Sequence, residues 1–139
     1  MEGVVHALRR IHRSLRSEGV LLDLHPQPER AGVEVWQEGR VDRLGHLDQE
    51  EDIQDILEAR ARLDSVEGDG WYVTERRRFF DLLAHFPSAD DWVAYQAREG
   101  YSGEIPAELI ATANRLLETE GGEFVVREPI RASVLKRLP

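Results

Sequence analysis

The first 26 residues constrain the fold most, because they predict a helix followed directly by a buried strand. Apolar side chains recur at helical spacing over residues 2–16, which indicates an amphipathic helix. Gly19 ends that helix. Residues 20–24 are apolar except for Asp23, and a run of this length is typical of a strand buried on both faces. Pro26 then stops strand pairing, since proline has no N–H to donate.

Alternation of apolar and polar side chains predicts further strands. They lie at residues 33–37, 40–47 and 123–136. The first two are joined by the tight turn Glu38-Gly39 and form a hairpin. Pro129 lies within the third, which implies a bulge or an unpaired position there.

The segment over residues 71–86 is ambiguous. Its aromatic and apolar residues suggest two extended pieces, at residues 71–74 and 79–85, with a bend at the arginines between them. A helix over residues 76–84 is the competing interpretation. Helical spacing predicts three more helices, one over residues 48–65, one around Trp92 and one after Pro106.

Length and composition limit the class of protein. The 139 residues, 41% of them hydrophobic, predict one globular domain over residues 1–139. A net charge of -9 disfavours nucleic-acid binding, because an acidic surface is repelled by phosphates. The chain has no cysteine, and no apolar stretch approaches the roughly 20 residues of a membrane span. We therefore expect a cytoplasmic protein with no membrane or nucleic-acid partner and no metal site.

The helix, turn and strand at the start resemble part of a known enzyme family. Residues 8–26 are similar to the second half of a class I S-adenosylmethionine-dependent methyltransferase, with Ser17-Glu18-Gly19 where that family has Pro-Gly-Gly. Residues 79–86 and 124–136 would then be its sixth and seventh strands, and the last would insert beside residues 20–24. The resemblance implies an α/β fold, α+β-like in isolation. It would have a small mixed sheet, a C-terminal antiparallel strand pair and flanking helices, like the distal half of a Rossmann-like methyltransferase.

The glycine-rich loop that binds the cofactor in that family has no counterpart in this chain. Gly68-Asp69-Gly70 is the only Gly-x-Gly triplet, and it precedes an apolar segment instead of following one, so we interpret it as a simple turn. We therefore expect no cofactor and no catalytic residue in this chain. S-adenosylmethionine would bind only if an upstream half or a partner supplied the site.

Without that half, one edge of the strand at residues 20–24 would be open, and an apolar open edge promotes association. We expect it to be covered by a second copy of the chain, by the hairpin at residues 33–47 or by another protein. The favoured function is a methyltransferase-like dimerising or partner-binding module, inactive alone. Two alternatives are a small-ligand-binding α+β protein and a fragment of an active methyltransferase whose annotated start is late.

Five side chains are candidates for a ligand site. Asp23 and His25 lie at the carboxyl end of the first strand, where open α/β sheets bind ligands. His85 is a candidate for the same crevice, and Trp36 and Trp71 are candidates for lining a pocket for a flat apolar ligand. The competing interpretation is that Asp23 caps a loop and His25 precedes a proline turn. For His85 it is a half-buried strand position, and for Trp36 and Trp71 it is core packing.

Overall fold

The computed structural model describes residues 2–101, 103–118 and 121–139, which form four helices and five strands. The helices are α1 (Glu2–Ser14), α2 (Glu50–Gly68), α3 (Ala89–Glu99) and α4 (Ala107–Leu116). The strands are β1 (Val20–Pro26), β2 (Gly32–Gln37), β3 (Arg40–His46), β4 (Tyr72–Phe86) and β5 (Glu123–Arg137). None of the helices in these ranges is long and apolar enough to cross a membrane.

The five strands form one open sheet in the order β1-β5-β2-β3, with β4 also paired to β5. Residues 20–26 of β1 lie opposite residues 136–130 of β5. Residues 32–36 of β2 lie opposite residues 127–123. The predicted α/β class is confirmed, and so is the insertion of the last strand beside the first. The prediction of a mixed sheet is wrong. The sheet is antiparallel, because β5 runs opposite to the strands beside it.

The strand partner of β5 changes next to Pro129. Arg127 lies opposite Gly32 of β2, and Ile130 lies opposite Pro26 of β1. The residues between them have no partner in either register. The missing N–H of Pro129 therefore costs no hydrogen bond to β1 or β2.

The segment that was ambiguous in sequence is a single strand. β4 runs without a break from Tyr72 to Phe86, so the helix over residues 76–84 is wrong, and the two extended pieces are one. Pairing with β5 decides this conformation. Strand preference depends on neighbouring strands more than on local sequence, which is why the local pattern could not decide it.

The predicted hairpin is confirmed as β2 and β3. Glu38 and Gly39 at its turn have φ of 40° and 80°, and two left-handed residues are what a type I′ turn requires. β2 pairs with β5 on its other side. The hairpin therefore does not pair with the open edge of β1, and the expectation that the hairpin covers this edge is wrong.

The chain divides into two compact units that interleave in sequence. Unit 1 takes residues 1–28, 54–80 and 130–139, and unit 2 takes residues 29–53 and 81–129. The core of unit 1 joins Leu8 of α1, Val66 of α2, Tyr72 of β4 and Leu135 of β5. The Tyr72 hydroxyl donates to the carbonyl of Leu8 at 3.0 Å, which satisfies the one polar atom of that buried side chain.

The core of unit 2 lies between its part of the sheet and the helices α3 and α4. Its buried members include Val33, Val35, Phe124, Trp92 and Ala113. A nearly fully buried Trp92 contributes the largest side chain. Ser88 caps α3, its hydroxyl accepting from the backbone N–H of Asp91 at 3.1 Å, and Gly100 ends that helix in the left-handed conformation.

Candidate functional site

Four side chains of alternating charge cross the sheet of unit 2. They belong to four strands and are Arg43 of β3, Glu34 of β2, Arg127 of β5 and Asp81 of β4. Arg127 donates from Nε to Glu34 Oε1 at 2.9 Å and from Nη2 to Oε2 at 3.2 Å. Its Nη1 donates to Asp81 Oδ2 at 2.9 Å, and Arg43 Nε lies 3.7 Å from Glu34 Oε1. We call these four side chains the charged row.

Glu34 is the buried centre of the charged row. The residue is 2% exposed, and its carboxylate accepts hydrogen bonds from two side chains. The Trp36 indole N–H donates to Oε2 at 2.7 Å, in addition to the two bonds from Arg127. Burial raises the pKa of Glu34, but these hydrogen bonds and the charges of Arg127 and Arg43 outweigh it, so the pKa is lowered. Glu34 is therefore ionised at neutral pH.

The pKa of Arg127 moves in the opposite direction. Its hydrogen bonds to Glu34 and Asp81 raise it further above the ordinary arginine value. All three donor nitrogens of its guanidinium contact a carboxylate oxygen. Arg127 is thus fixed in position by two strands at once, and its charge is neutralised within the row.

A cleft of about 440 Å³ opens beside the charged row. Besides the row, Arg30, His46 and two glycines line it. Three guanidinium groups therefore face two carboxylates in the cleft, although the whole chain carries a charge of -9. We call this the arginine cleft. Its excess of positive charge makes it the place in unit 2 where an anion would be least repelled.

Two of the predicted site residues meet beside the charged row. The rings of Trp36 and His85 are edge to face with centroids 5.3 Å apart. Nδ1 of His85 lies 2.9 Å from the Glu123 carboxylate. Of these two residues, Trp36 contacts the charged row, because its indole N–H donates to Glu34. Trp36 also lines a cleft of about 410 Å³ together with Glu123.

Asp23 and His25 form a pair in unit 1. Both project from the same face of β1, and Nδ1 of His25 lies 2.9 Å from Asp23 Oδ2. Their side chains are only 13% and 15% exposed. Within the described residues, Nε2 of His25 is buried with no hydrogen-bond partner. The pair belongs to unit 1, whereas His85 belongs to unit 2.

The ring of Trp71, the fifth predicted residue, contacts a positively charged side chain. The Arg9 guanidinium lies 4.6 Å from the ring centroid, in cation–π geometry. His12 of α1 approaches the same ring at 6.2 Å and hydrogen-bonds the carbonyl of Leu138 at 3.1 Å. Arg9, His12 and Arg13 line a cleft together with this tryptophan.

The sheet of unit 1 has an apolar surface and an open edge. Within the described part of the chain, β1 pairs with β5 alone. Alternate residues of β1 are exposed, Val20 at 49%, Leu22 at 66% and Leu24 at 63%, so the prediction of a strand buried on both faces is wrong. We call these three the apolar row. A shallow groove beside it is lined by Leu22, Leu24, Ala132, Val134, Arg76 and Arg78.

The charged row was not predicted from the sequence. The available signal was a single carboxylate in the run Val33-Glu34-Val35 and a single arginine after Val125-Val126. A charge at an alternate position of a strand normally indicates the solvent side, which hid the pairing of Glu34 with Arg127. In the described residues, no three histidine or carboxylate side chains converge as metal ligands would.

No family model, curated protein or solved structure matches this chain. The resemblance to a methyltransferase half therefore stays a prediction.

Proposed function

We propose that this chain is a methyltransferase-like interaction module without its own S-adenosylmethionine site, and that its partner is a second copy joined through the open edge of β1. One observation carries this proposal. β1 has a strand neighbour on one side only, and the side chains of its apolar row are exposed. An unpaired edge presents backbone N–H and C=O groups that a second strand can bind.

The apolar row is complementary to itself. If two copies of β1 pair antiparallel about a two-fold axis at Leu22, each Leu22 faces its own copy and each Val20 faces Leu24 of the other chain. Every pair on that face is then apolar, which favours cross-strand contact. A two-fold interface needs this kind of self-complementary surface, because the same residues serve both partners.

The expected dimer is weak. β1 contributes only seven residues to such an edge. Interfaces that bury less than about 1,200 Å² in total are typical of transient pairs. We therefore expect association that depends on concentration rather than a permanent dimer.

The family resemblance supports the location. In class I methyltransferases the strand equivalent to β1 lies between the seventh strand and the fourth. β5 pairs with β1, so under the resemblance β5 would correspond to the seventh strand and the open side of β1 to the side of the fourth strand. An edge that is interior in the family would retain an apolar character that a surface edge does not need.

Sedimentation velocity across a range of protein concentrations tests the dimer. Wild type should shift towards twice the 15.9 kDa mass as concentration rises. Leu22→Lys and Leu22→Glu should each stay monomeric, because like charges would face each other at the two-fold axis. An equimolar mixture of these two variants should regain the dimer, since opposite charges then face each other.

Val41→Lys is the matched control, because Val41 is also apolar, 46% exposed and on a strand at the end of the sheet order. It should leave the association unchanged. A wild type that remains monomeric at every concentration would refute the proposal. So would a dimer that Val41→Lys disrupts and Leu22→Lys does not.

The same module should not bind S-adenosylmethionine. The only Gly-x-Gly triplet, Gly68-Asp69-Gly70, lies at the end of α2 and precedes β4, so no glycine-rich turn after a strand lets the backbone approach a cofactor closely. Calorimetric titration of the folded chain with S-adenosylmethionine should therefore give no saturable heat. Saturable one-to-one binding would contradict the absence of a cofactor site.

A further inference from the structure

The arginine cleft of unit 2 has no role in the proposed association. We propose that it binds a small anionic molecule through a carboxylate or phosphate group, with Arg30, Arg43 and His46 as the groups that contact the anion. The cleft volume of about 440 Å³ lies within the roughly 300–1,000 Å³ typical of small-molecule sites. It is therefore suited to a metabolite rather than to a polymer.

The two carboxylates of the cleft are both hydrogen-bonded to Arg127, which reduces their repulsion of an anion. Glu34 accepts two hydrogen bonds from Arg127, and Asp81 accepts a third. Together with Arg30 and Arg43, three guanidinium groups meet two carboxylates, so the cleft has one net positive charge for a ligand.

Arg30 and Arg43 have most of their hydrogen-bonding capacity left. Arg43 lies 3.7 Å from Glu34, and Arg30 lies 3.9 Å from Glu50, both longer than a hydrogen bond. A guanidinium carries five donors in a planar arrangement that matches carboxylate and phosphate oxygens. His46 adds a ring nitrogen to the same cleft. A charge-assisted, multidentate contact with an anion is therefore available.

The local backbone is irregular beside the cleft. Gly32 lies opposite His46 at the start of β2, Gly45 lies opposite Val33 near the end of β3, and both glycines line the cleft. The register of β2 against β3 shifts between Val33 and Glu34, next to these glycines. Irregular strand positions of this kind commonly adjoin binding sites, because they redirect side chains.

Titration of the isotope-labelled chain with inorganic phosphate and, separately, with citrate tests the site by amide chemical shifts at constant ionic strength. We expect saturable, one-to-one binding of at least one anion, with shifts concentrated in β2 and β3. The double variant Arg30→Ala/Arg43→Ala should weaken it by about tenfold or more, because two charge-assisted contacts are lost. Both side chains are largely exposed, so the variant should fold.

Arg9→Ala/Arg13→Ala is the matched control, because it removes the same charge from a basic cleft of unit 1. It should leave the affinity unchanged. Tighter binding of phosphate would identify a phosphorylated ligand, and tighter binding of citrate a carboxylic acid. The proposal is overturned if neither anion saturates, or if both double variants weaken binding equally, which would show attraction by overall charge only.

Discussion

Glu34→Gln should lower the free energy of unfolding by about 2 kcal/mol at neutral pH, because hydrogen bonds to charged groups contribute about that much. The substitution keeps the size of the side chain but removes its charge from between Arg127 and Arg43. Arg127 would retain Asp81 as a partner, which limits the loss. Denaturant unfolding of the two proteins measures the difference.

The difference should depend on pH in a defined direction. The folded-state pKa of Glu34 is lowered, so its stabilising effect is fully present above the ordinary value of 4.5 and is lost as the pH falls through the lowered value. In strong acid, wild type carries a neutral carboxyl at this position. The two unfolding curves should therefore converge there, unless other groups unfold both proteins first.

Asp42→Asn is the control for this prediction. Asp42 also accepts from an arginine on its own strand, Arg40 at 2.7 Å, but the Arg40 side chain is 72% exposed. Exposed pairs contribute at most about 1 kcal/mol, so this change should be small. Equal losses for Glu34→Gln and Asp42→Asn would show that burial of the charged row has no special effect.

Trp92→Ala should destabilise unit 2 by about 3–5 kcal/mol, the range for emptying a large aromatic site in a core. Trp92 is 1% exposed and lies edge to face with Phe86 and Tyr101, at centroid distances of 5.4 and 5.1 Å. Truncation removes these contacts and leaves a cavity that α3 cannot fill without moving. Thermal and denaturant unfolding both measure the loss.

Two further variants test whether the loss of stability comes from the lost side-chain volume or from a lost hydrogen bond. Among the described residues, the Trp92 indole N–H has no hydrogen-bond partner, so Trp92→Phe loses volume but no hydrogen bond and should cost clearly less than alanine. Val93→Ala, at a neighbouring position that is 38% exposed, should change stability by less than about 1 kcal/mol. A Trp92→Ala protein as stable as Val93→Ala would rule out the packing described here.

Strong periodic patterns predicted most of the fold. The first helix, the strand after Gly19 and the hairpin turn at Glu38 and Gly39 are all present, because local chemistry determines them. β4 was ambiguous, since its conformation depends on a strand that follows it by almost forty residues, β5. The two units were not predicted either, because each combines distant segments of the chain.

The candidate site shows where local reasoning fails. Trp36 is predicted to line an aromatic pocket and His85 to face the crevice of Asp23 and His25. The two rings contact each other instead, and their polar partners are carboxylates, Glu34 and Glu123. Arg127 meets Glu34 only because β5 pairs with β2 in one particular register. A pairing between residues more than ninety positions apart leaves no periodic signal in one sequence.

The position of β5 in the sheet has a consequence for how the protein forms during synthesis. β5 is the last of the described strands to leave the ribosome, yet β1, β2 and β4 all pair with it. The β2–β3 hairpin is the one strand pair that can close earlier. Until β5 emerges, β1, β2 and β4 lack the central strand that they pair with. Such long-range pairing is slow and aggregation-prone, so this protein should depend on chaperones until its synthesis reaches β5.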